Sequence, residues 1–149
     1  MTVSKQDVLA VLEPDEVDYV TAASLGPEAL PHLAALVTGE DAMLAAKATY
    51  LASMIPDEGR QQILSAAAVS AEPTVRIAAA VGSNTLRTAE AETLVAALLT
   101  DDDVGVRKQA ILSSAQIIDT AAVQYNLQRI IEADTFDTLR RMAEQVLGE

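Results

Sequence analysis

The sequence repeats itself with a period of about 31 residues, and this period restricts the possible folds more than any other feature. Aliphatic side chains, here called anchors, stand at Leu44, Val75, Val106 and Leu139, separated by 31, 31 and 33 residues. An alanine follows each anchor four positions later, at Ala48, Ala79, Ala110 and Ala143. Apolar residues also recur eight positions before each anchor and, except for His32 in the first of these repeats, twelve positions before it. Two short helices fit these offsets, so the chain is predicted to stack helical hairpins that bury their apolar faces against each other.

Acidic residues mark the start of the second helix in each repeat. Asp41, Glu72 and Asp103 stand three positions before their anchors, where a carboxylate accepts hydrogen bonds from free amides and favours the positive end of the helix. Pro73 fits the first turn, where its missing N–H costs nothing. The anchor and the alanine four positions later share one helix face, and the small alanine lets neighbouring helices approach closely.

This spacing predicts an all-α fold of ten helices in five antiparallel hairpins, forming one domain over residues 1–149. Polar side chains near both ends are expected to cap the stack, as in a complete protein. In the first hairpin, the segment from Pro14 to Thr21 is a degenerate copy with Val17 as its anchor. The predicted helix pairs are 4–12 and 14–25, 27–37 and 41–54, 57–70 and 73–86, 88–99 and 103–117, and 119–132 and 136–147.

The composition excludes several classes of function. A net charge of −12 repels nucleic acid and anionic membranes, so neither is an expected partner. With no cysteine there are no disulfides, thiolate metal sites or cysteine nucleophiles, and we expect no cofactor and no metal. The sequence shows neither a secretory signal nor a long apolar run, which predicts a cytoplasmic protein.

The pattern acid–x–x–aliphatic–Arg–x–x–Ala, at Glu72–Ala79 and Asp103–Ala110, resembles HEAT-like repeats of the short bacterial kind. Such repeats occur in solitary repeat proteins and in phycobilin-lyase-type chains. The resemblance implies an α-solenoid, a right-handed superhelix whose second helices line the concave wall. It also implies a structural ladder between successive repeats, which ends at Ala45 because this residue replaces the arginine. The implied ladder residues are Arg76, Arg107, Arg140, Asp41, Glu72 and Asp103.

Three polar features have a structural and a functional interpretation, and the structural one is favoured for each. The acidic triplet Asp101–Asp102–Asp103 lacks calcium-loop spacing, and a helix start explains it without a metal. His32 aligns with buried positions of other repeats, which favours a structural rather than a catalytic histidine. The basic residues Arg129, Arg140 and Arg141 fit a solvated cap better than a phosphate site.

A mostly apolar wall is predicted on the second helices, at offsets +2, +5, +6 and +9 from the anchors. Two interpretations stay open: a binding surface, favoured by its tyrosines, and a seam closed by strong curvature. Acidic residues would form one edge of this wall, namely Glu40, Asp41, Glu72, Asp101, Asp102 and Asp103. The candidate binding residues are Tyr19, Tyr50, Ile77, Val81, Asn84, Lys108, Ile111 and Leu112.

These features predict a non-enzymatic protein-interaction module that binds a partner segment in its concave groove. The acidic edge indicates a basic, amphipathic protein or peptide as the partner. A second hypothesis, from the resemblance alone, is a chromophore-lyase-like or other enzyme-associated subunit. An apolar groove on a small protein also allows a homodimer.

Overall fold

The computed structural model describes residues 2–148, and within this range the chain forms helices and no strand. Short 3₁₀ turns extend several helices, at Ala23–Leu25, Pro27–Ala29, Ser83–Thr85 and Ala115–Ile117. The α-helices are α1 Lys5–Leu12, α2 Tyr19–Ala22, α3 Leu30–Val37, α4 Ala42–Ser53, α5 Arg60–Ala68, α6 Pro73–Gly82, α7 Thr88–Leu98, α8 Val104–Ser114, α9 Ala121–Ala133 and α10 Asp137–Leu147.

The helices form two layers, with odd-numbered helices in one and even-numbered helices in the other. In the even layer α6 packs between α4 and α8, and α8 packs against α10. Contacts between neighbouring even helices are more extensive than those between the odd helices beside them. The even helices therefore approach each other more closely than the odd helices do.

Small side chains make this close approach possible. The alanines four residues after the anchors, Ala48, Ala79, Ala110 and Ala143, are fully buried, as are the anchors Val75 and Val106. Around them, leucines such as Leu51, Leu64 and Leu127 are completely enclosed. Burying one such leucine contributes about 1.5–3 kcal/mol before entropy is counted. The core therefore runs continuously from α1 to α10, and the prediction of an all-helical solenoid is confirmed.

Side-chain caps start several helices as the sequence indicates. The Ser4 hydroxyl accepts from the Asp7 amide at 3.1 Å while the Asp7 carboxylate accepts from the Ser4 amide at 2.9 Å, a reciprocal capping box for α1. Asp41 accepts from the Leu44 amide at 3.0 Å, and Asp103 accepts from the Val106 amide at 2.9 Å. Glu72 occupies the same position before α6, but its side chain makes no capping bond.

This difference allows a matched test of the caps. We expect Asp41→Ala to lower the free energy of unfolding by about 1 kcal/mol, because the Leu44 amide loses its acceptor. Glu72→Ala, at the same repeat position, should change it by less than about 0.5 kcal/mol. Urea denaturation followed by circular dichroism measures both values. Equal losses would mean that the Asp41 cap does not stabilise α4.

The predicted helix 14–25 is wrong in its first half. Residues 13–18 are not helical and bend at 14–16, and α2 begins only at Tyr19. Pro14 would have to cap the predicted helix, and it has no side-chain acceptor, whereas the Asp18 carboxylate accepts from the Thr21 amide at 3.1 Å. Helix α2 therefore starts after Asp18, and Val17 precedes the helix instead of anchoring it.

Candidate interaction surface

The solvent-facing sides of the even helices form a continuous surface, which we call the wall. Tyr50, Val81 and Leu112 occupy the same repeat position, six residues after the anchors of α4, α6 and α8. Leu112 is 52% exposed, while Tyr50 and Val81 are half-buried. Met43 lies seven residues before Tyr50, on the same face of α4, and is 70% exposed. The wall comprises Met43, Ala46, Tyr50 and Met54 of α4 and its C-cap, Ile77, Val81 and Asn84 of α6 and its 3₁₀ turn, Lys108 and Leu112 of α8, and Arg141 and Gln145 of α10.

Tyr50 of the wall packs against Tyr19, the first residue of α2. The rings of Tyr19 and Tyr50 meet edge to face, with centroids 6.0 Å apart and an angle of 62°. Burial raises the pKa of both hydroxyls, and for Tyr19 the neighbouring Tyr50 adds to this effect. Both phenols are therefore neutral at physiological pH. Tyr50 has a structural role between α2 and α4 besides any role in binding.

Ile111 was predicted to lie on the wall, and this prediction is wrong because the side chain is fully buried. The +5 positions of α4 and α6, Thr49 and Ala80, are also fully buried. A helix turns by about 100° per residue, which puts +5 about 80° away from the centre of the face that carries +2 and +6. Positions at +5 therefore point into the neighbouring helix, and Ile111 is a core residue.

A ladder of arginines joins successive repeats. The Arg76 guanidinium donates to both carboxylate oxygens of Asp101, at 2.8 and 3.0 Å, and to the Ser70 carbonyl at 2.8 Å. One repeat later, the Arg107 guanidinium donates to both oxygens of Asp134, at 2.9 and 3.3 Å. Each of these arginines thus ties its even helix to the loop that precedes the next even helix.

The acidic partners in this ladder differ from the predicted ones. Asp41 and Asp103 cap helices instead of binding arginines. Glu72 neither caps a helix nor binds an arginine. The carboxylates that bind the arginines are Asp101 and Asp134. Both stand five residues before an anchor, so the sequence itself contains this recurrence. It was missed because the acidic residues of these loops were interpreted only as helix starts. The third arginine, Arg140, donates to the Asp134 carbonyl and to the Asp137 carboxylate.

The ladder carboxylates are partly desolvated and remain charged. Burial alone raises the pKa of Asp134, but hydrogen bonds from Arg107 and the Phe136 amide, and the charges of Arg107 and Arg140, outweigh it and hold the pKa below the ordinary value. The pKa of Asp101 is lowered in the same way, against desolvation, by Arg76, the Asp103 amide and Arg107. The ion pairs therefore persist at neutral pH.

The remaining polar candidates also have structural partners. In the acidic triplet, Asp101 pairs with Arg76 and Asp103 caps α8, and residues 2–148 hold no cluster of three side chains suited to a metal. The Nε2–H group of His32 donates to the Val3 carbonyl at 2.9 Å and so holds the segment before α1 against α3. Arg129 is exposed beside the Tyr125 hydroxyl, 3.4 Å away.

The edge formed by the loops that lead into the even helices is acidic, and its charge is concentrated at the N-terminal end. We call this end the acidic corner. Lys47 closes the corner, because its Nζ donates to the carbonyls of Leu12 at 3.1 Å and Pro14 at 3.0 Å and so holds the first loop against α4. The exposed carboxylates of the corner are Glu13, Asp15, Glu16, Asp18, Glu40 and Asp41.

Clefts open on the opposite, odd-numbered side of the molecule. One of about 510 Å³ lies between α3 and α5, and another of about 380 Å³ lies between α5 and α7. Ala68, Leu94 and Ala97 line the second, and Val69 at its mouth is 83% exposed. Such clefts are expected if the odd helices form the outer, convex layer of a curved stack, because curvature increases the distance between them.

Helical hairpins stacked in two layers and tied by an arginine ladder define the class of α-solenoid repeat proteins. The profile of HEAT repeats matches residues 60–148, and the protein belongs to this repeat family. The chain is similar in fold to a chain of the complex of CpcE and CpcF of phycocyanin lyase from Nostoc sp. PCC7120, with a TM-score of 0.73 and 19% identity. The likeness covers 95% of this chain and 96% of that one.

Two further searches gave no match. No curated protein sequence matched this chain. Among the helices within residues 2–148, none combines the length and apolar character that a membrane crossing requires.

Proposed function

We propose that this protein is a cytoplasmic, non-enzymatic interaction module that holds a segment of a protein partner on its wall. The exposure of Leu112 on α8, in line with Val81 and Tyr50 on the two preceding even helices, carries the proposal. Large apolar side chains aligned across successive helices form a patch of the kind that partners cover. A curved array presents such a patch without loops that build a pocket.

The exposure of individual wall residues argues for an open surface. If curvature closed the wall into a seam, its central side chains would be buried by the neighbouring helices. Leu112 and Met43 instead remain more than half exposed. Methionine is also suited to this position, because its flexible thioether adapts to different partner surfaces. The exposure therefore supports binding over closure.

Charge supports a basic, amphipathic partner. The chain carries a net charge of −12, and the acidic corner borders the apolar part of the wall. A second copy would bring the same negative charge to the interface, which weakens the case for a homodimer. A partner with lysine or arginine beside an apolar stripe would match both the negative charge and the apolar surface. Attraction between the opposite charges would also increase its rate of association.

Leu112→Arg and Met43→Arg test the wall. We expect each substitution to lower partner capture from native lysate at least tenfold, because it puts an unpaired charge into the contact. Both side chains are exposed, so the melting temperature should change by less than about 2 °C. Tyr50 is a poorer choice, because its packing against Tyr19 couples binding to folding.

The matched control is Val69→Arg, which changes an aliphatic side chain that is 83% exposed on the odd-numbered side. Proteins captured by the wild type and by Val69→Arg, but lost with both wall variants, are partners of the wall. If the wall variants and the control capture the same proteins, the wall is not the binding surface.

The fold similarity to a chain of the phycocyanin lyase complex favours a second candidate, a chromophore-lyase-like or other enzyme-associated subunit. This chain has no cysteine, and its one histidine already bonds the Val3 carbonyl. The second candidate requires a change in the absorption spectrum when bilin is mixed with the protein, whereas the interaction module requires none.

A further inference from the structure

None of the corner carboxylates has an arginine partner within residues 2–148, whereas four carboxylates further along the chain do. Among residues 2–148, the ion pairs join Arg76 to Asp101, Arg107 to Asp134, Arg87 to Glu58, and Arg140 and Arg141 to Asp137. None of these pairs involves the acidic corner. Residues 1–54 carry eight of the 22 acidic side chains and only two of the ten basic ones. The negative charge is therefore least compensated beside α2 and α4.

The even helix beside the corner also lacks the arginine of the ladder. Ala45 stands where Arg76 and Arg107 stand in the next two repeats, and it is buried. Lys47 is the nearest cation, but it donates to the carbonyls of Leu12 and Pro14 rather than to carboxylates. Hydrogen bonds from the Thr21 hydroxyl and amide lower the pKa of Asp18, which keeps this corner residue charged.

Toward its other end the wall becomes basic at one repeat position. At the +2 position the wall changes from Ala46 on α4 and Ile77 on α6 to Lys108 on α8 and Arg141 on α10. Both cations are exposed, and within residues 2–148 Arg141 forms one ion pair, with Asp137. A partner lying across the even helices thus meets negative charge at the first end and positive charge at the last.

The dimensions of the wall favour a helix as the partner. Met43 and Met54 are eleven residues apart on α4, which corresponds to about 16 Å along the helix axis. This strip accommodates the roughly 10–12 Å diameter of a helix, whereas a single extended strand occupies only about 5 Å. Neighbouring packed helices lie about 8–10 Å apart, so crossing from α4 to α10 takes about 24–30 Å, or up to 20 helical residues.

Resting on the proposed function, we propose that the wall binds an amphipathic helix in one direction, with a lysine- or arginine-rich end over the acidic corner and an acidic end toward Lys108 and Arg141. The apolar stripe of this helix covers Tyr50, Val81 and Leu112. The charge gradient along the wall selects the direction, because the reversed helix would put like charges together at both ends.

Two synthetic 20-residue helical peptides test the direction. They have the same composition and the same leucine stripe, but one carries its lysines in the N-terminal half and glutamates in the C-terminal half, and the other the reverse. A fluorophore marks the N-terminus of each. Because the chain has no cysteine, Ala10→Cys or Ala133→Cys accepts an acceptor dye at one site only. Both alanines are exposed, in α1 and α9 at opposite ends of the stack.

We expect strong energy transfer to the Ala10→Cys dye for the peptide with N-terminal lysines, and to the Ala133→Cys dye for the reversed peptide. The corner variant Asp15→Asn/Glu16→Gln/Glu40→Gln leaves the helix caps intact and should weaken binding of both peptides about tenfold at low salt. The control variant Glu28→Gln/Asp119→Asn/Glu132→Gln removes three exposed carboxylates elsewhere and should weaken binding less than threefold.

The outcomes separate this inference from the proposed function. If Leu112→Arg abolishes binding but both peptides give the same transfer pattern, the direction is wrong and the wall is still the binding surface. Equal weakening by the corner and control variants would also overturn the assigned direction. If neither peptide binds, or if Leu112→Arg binds them as the wild type does, both the assigned direction and the proposed function are wrong.

Discussion

Replacing Arg107 with alanine is expected to lower the free energy of unfolding by about 3 kcal/mol. The side chain of Asp134, its partner, is only 4% exposed, so the substitution leaves a nearly buried carboxylate without its ion pair. Arg107 also donates to the carbonyls of Asp101 and Asp102, at 3.0 and 3.1 Å, and these acceptors lose their donor as well. Urea denaturation followed by circular dichroism measures the loss.

The exposed pair of Arg87 and Glu58 supplies the control. Their side chains are 76% and 87% exposed, and an ion pair in water contributes less than about 1 kcal/mol. Arg87→Ala should therefore leave stability almost unchanged. Comparable losses for Arg87→Ala and Arg107→Ala would show that the buried ladder is no more stabilising than a surface pair.

The buried pair of Arg107 and Asp134 should make stability depend on pH in the acidic range. The pKa of Asp134 is lowered in the folded protein, so its contribution is present above the pKa of the unfolded state, about 3.9. As the pH falls from there through the folded pKa, Asp134 becomes protonated and the contribution is lost. The difference in stability between wild type and Arg107→Ala should therefore be constant near pH 7 and shrink below about pH 4.

Gly82→Ala is expected to destabilise the protein by about 2 kcal/mol, although alanine is the better helix former. A Cβ atom at this position would lie 2.8 Å from Cβ of Ser53 and 2.9 Å from Cδ2 of Leu64. Ser53 Cβ is attached directly to the backbone of α4, so relief of the overlap requires α4 and α6 to separate. The melting temperature and the urea midpoint should both fall.

Gly105→Ala is the matched control, because Gly105 also lies within a helix. Its added Cβ would meet the end of the Asp103 side chain at 3.0 Å and Cδ1 of Ile77 at 3.5 Å, and no backbone or Cβ atom of another helix. We expect stability to change by less than about 0.5 kcal/mol, since the gain in helix propensity offsets a small shift of Asp103. If both variants are equally stable, the contact between α4 and α6 is looser than the structure indicates.

The repeat allowed most of the architecture to be predicted. Anchors and alanines recur with the period of one hairpin, and nine of the ten helices lie close to their expected ranges. The exception lies in the first hairpin, where Pro14 and Asp18 compete for the start of a helix. Local capping chemistry decides between them, and a degenerate repeat copy gives no information about its outcome.

The candidate surface was less predictable. Offsets along one helix describe which residues share a face, but not how far that face rotates toward its neighbours. For this reason Leu112 and Ile111, adjacent in sequence, were placed on the same wall, while one is exposed and the other is fully buried. The sequence pattern also assigned the wrong carboxylates to the arginines. Asp101 and Asp103 share one loop, but they accept hydrogen bonds from different donors.

The sequence by itself determined the class of fold, because a 31-residue period of apolar positions leaves stacked helical hairpins as the way to bury them. It also determined the negative charge and the loss of the ladder at Ala45. Only the tertiary structure decided which carboxylates pair and which stay free, and which wall side chains remain exposed. Both depend on distances between helices that are remote in sequence, and a local pattern does not encode these distances.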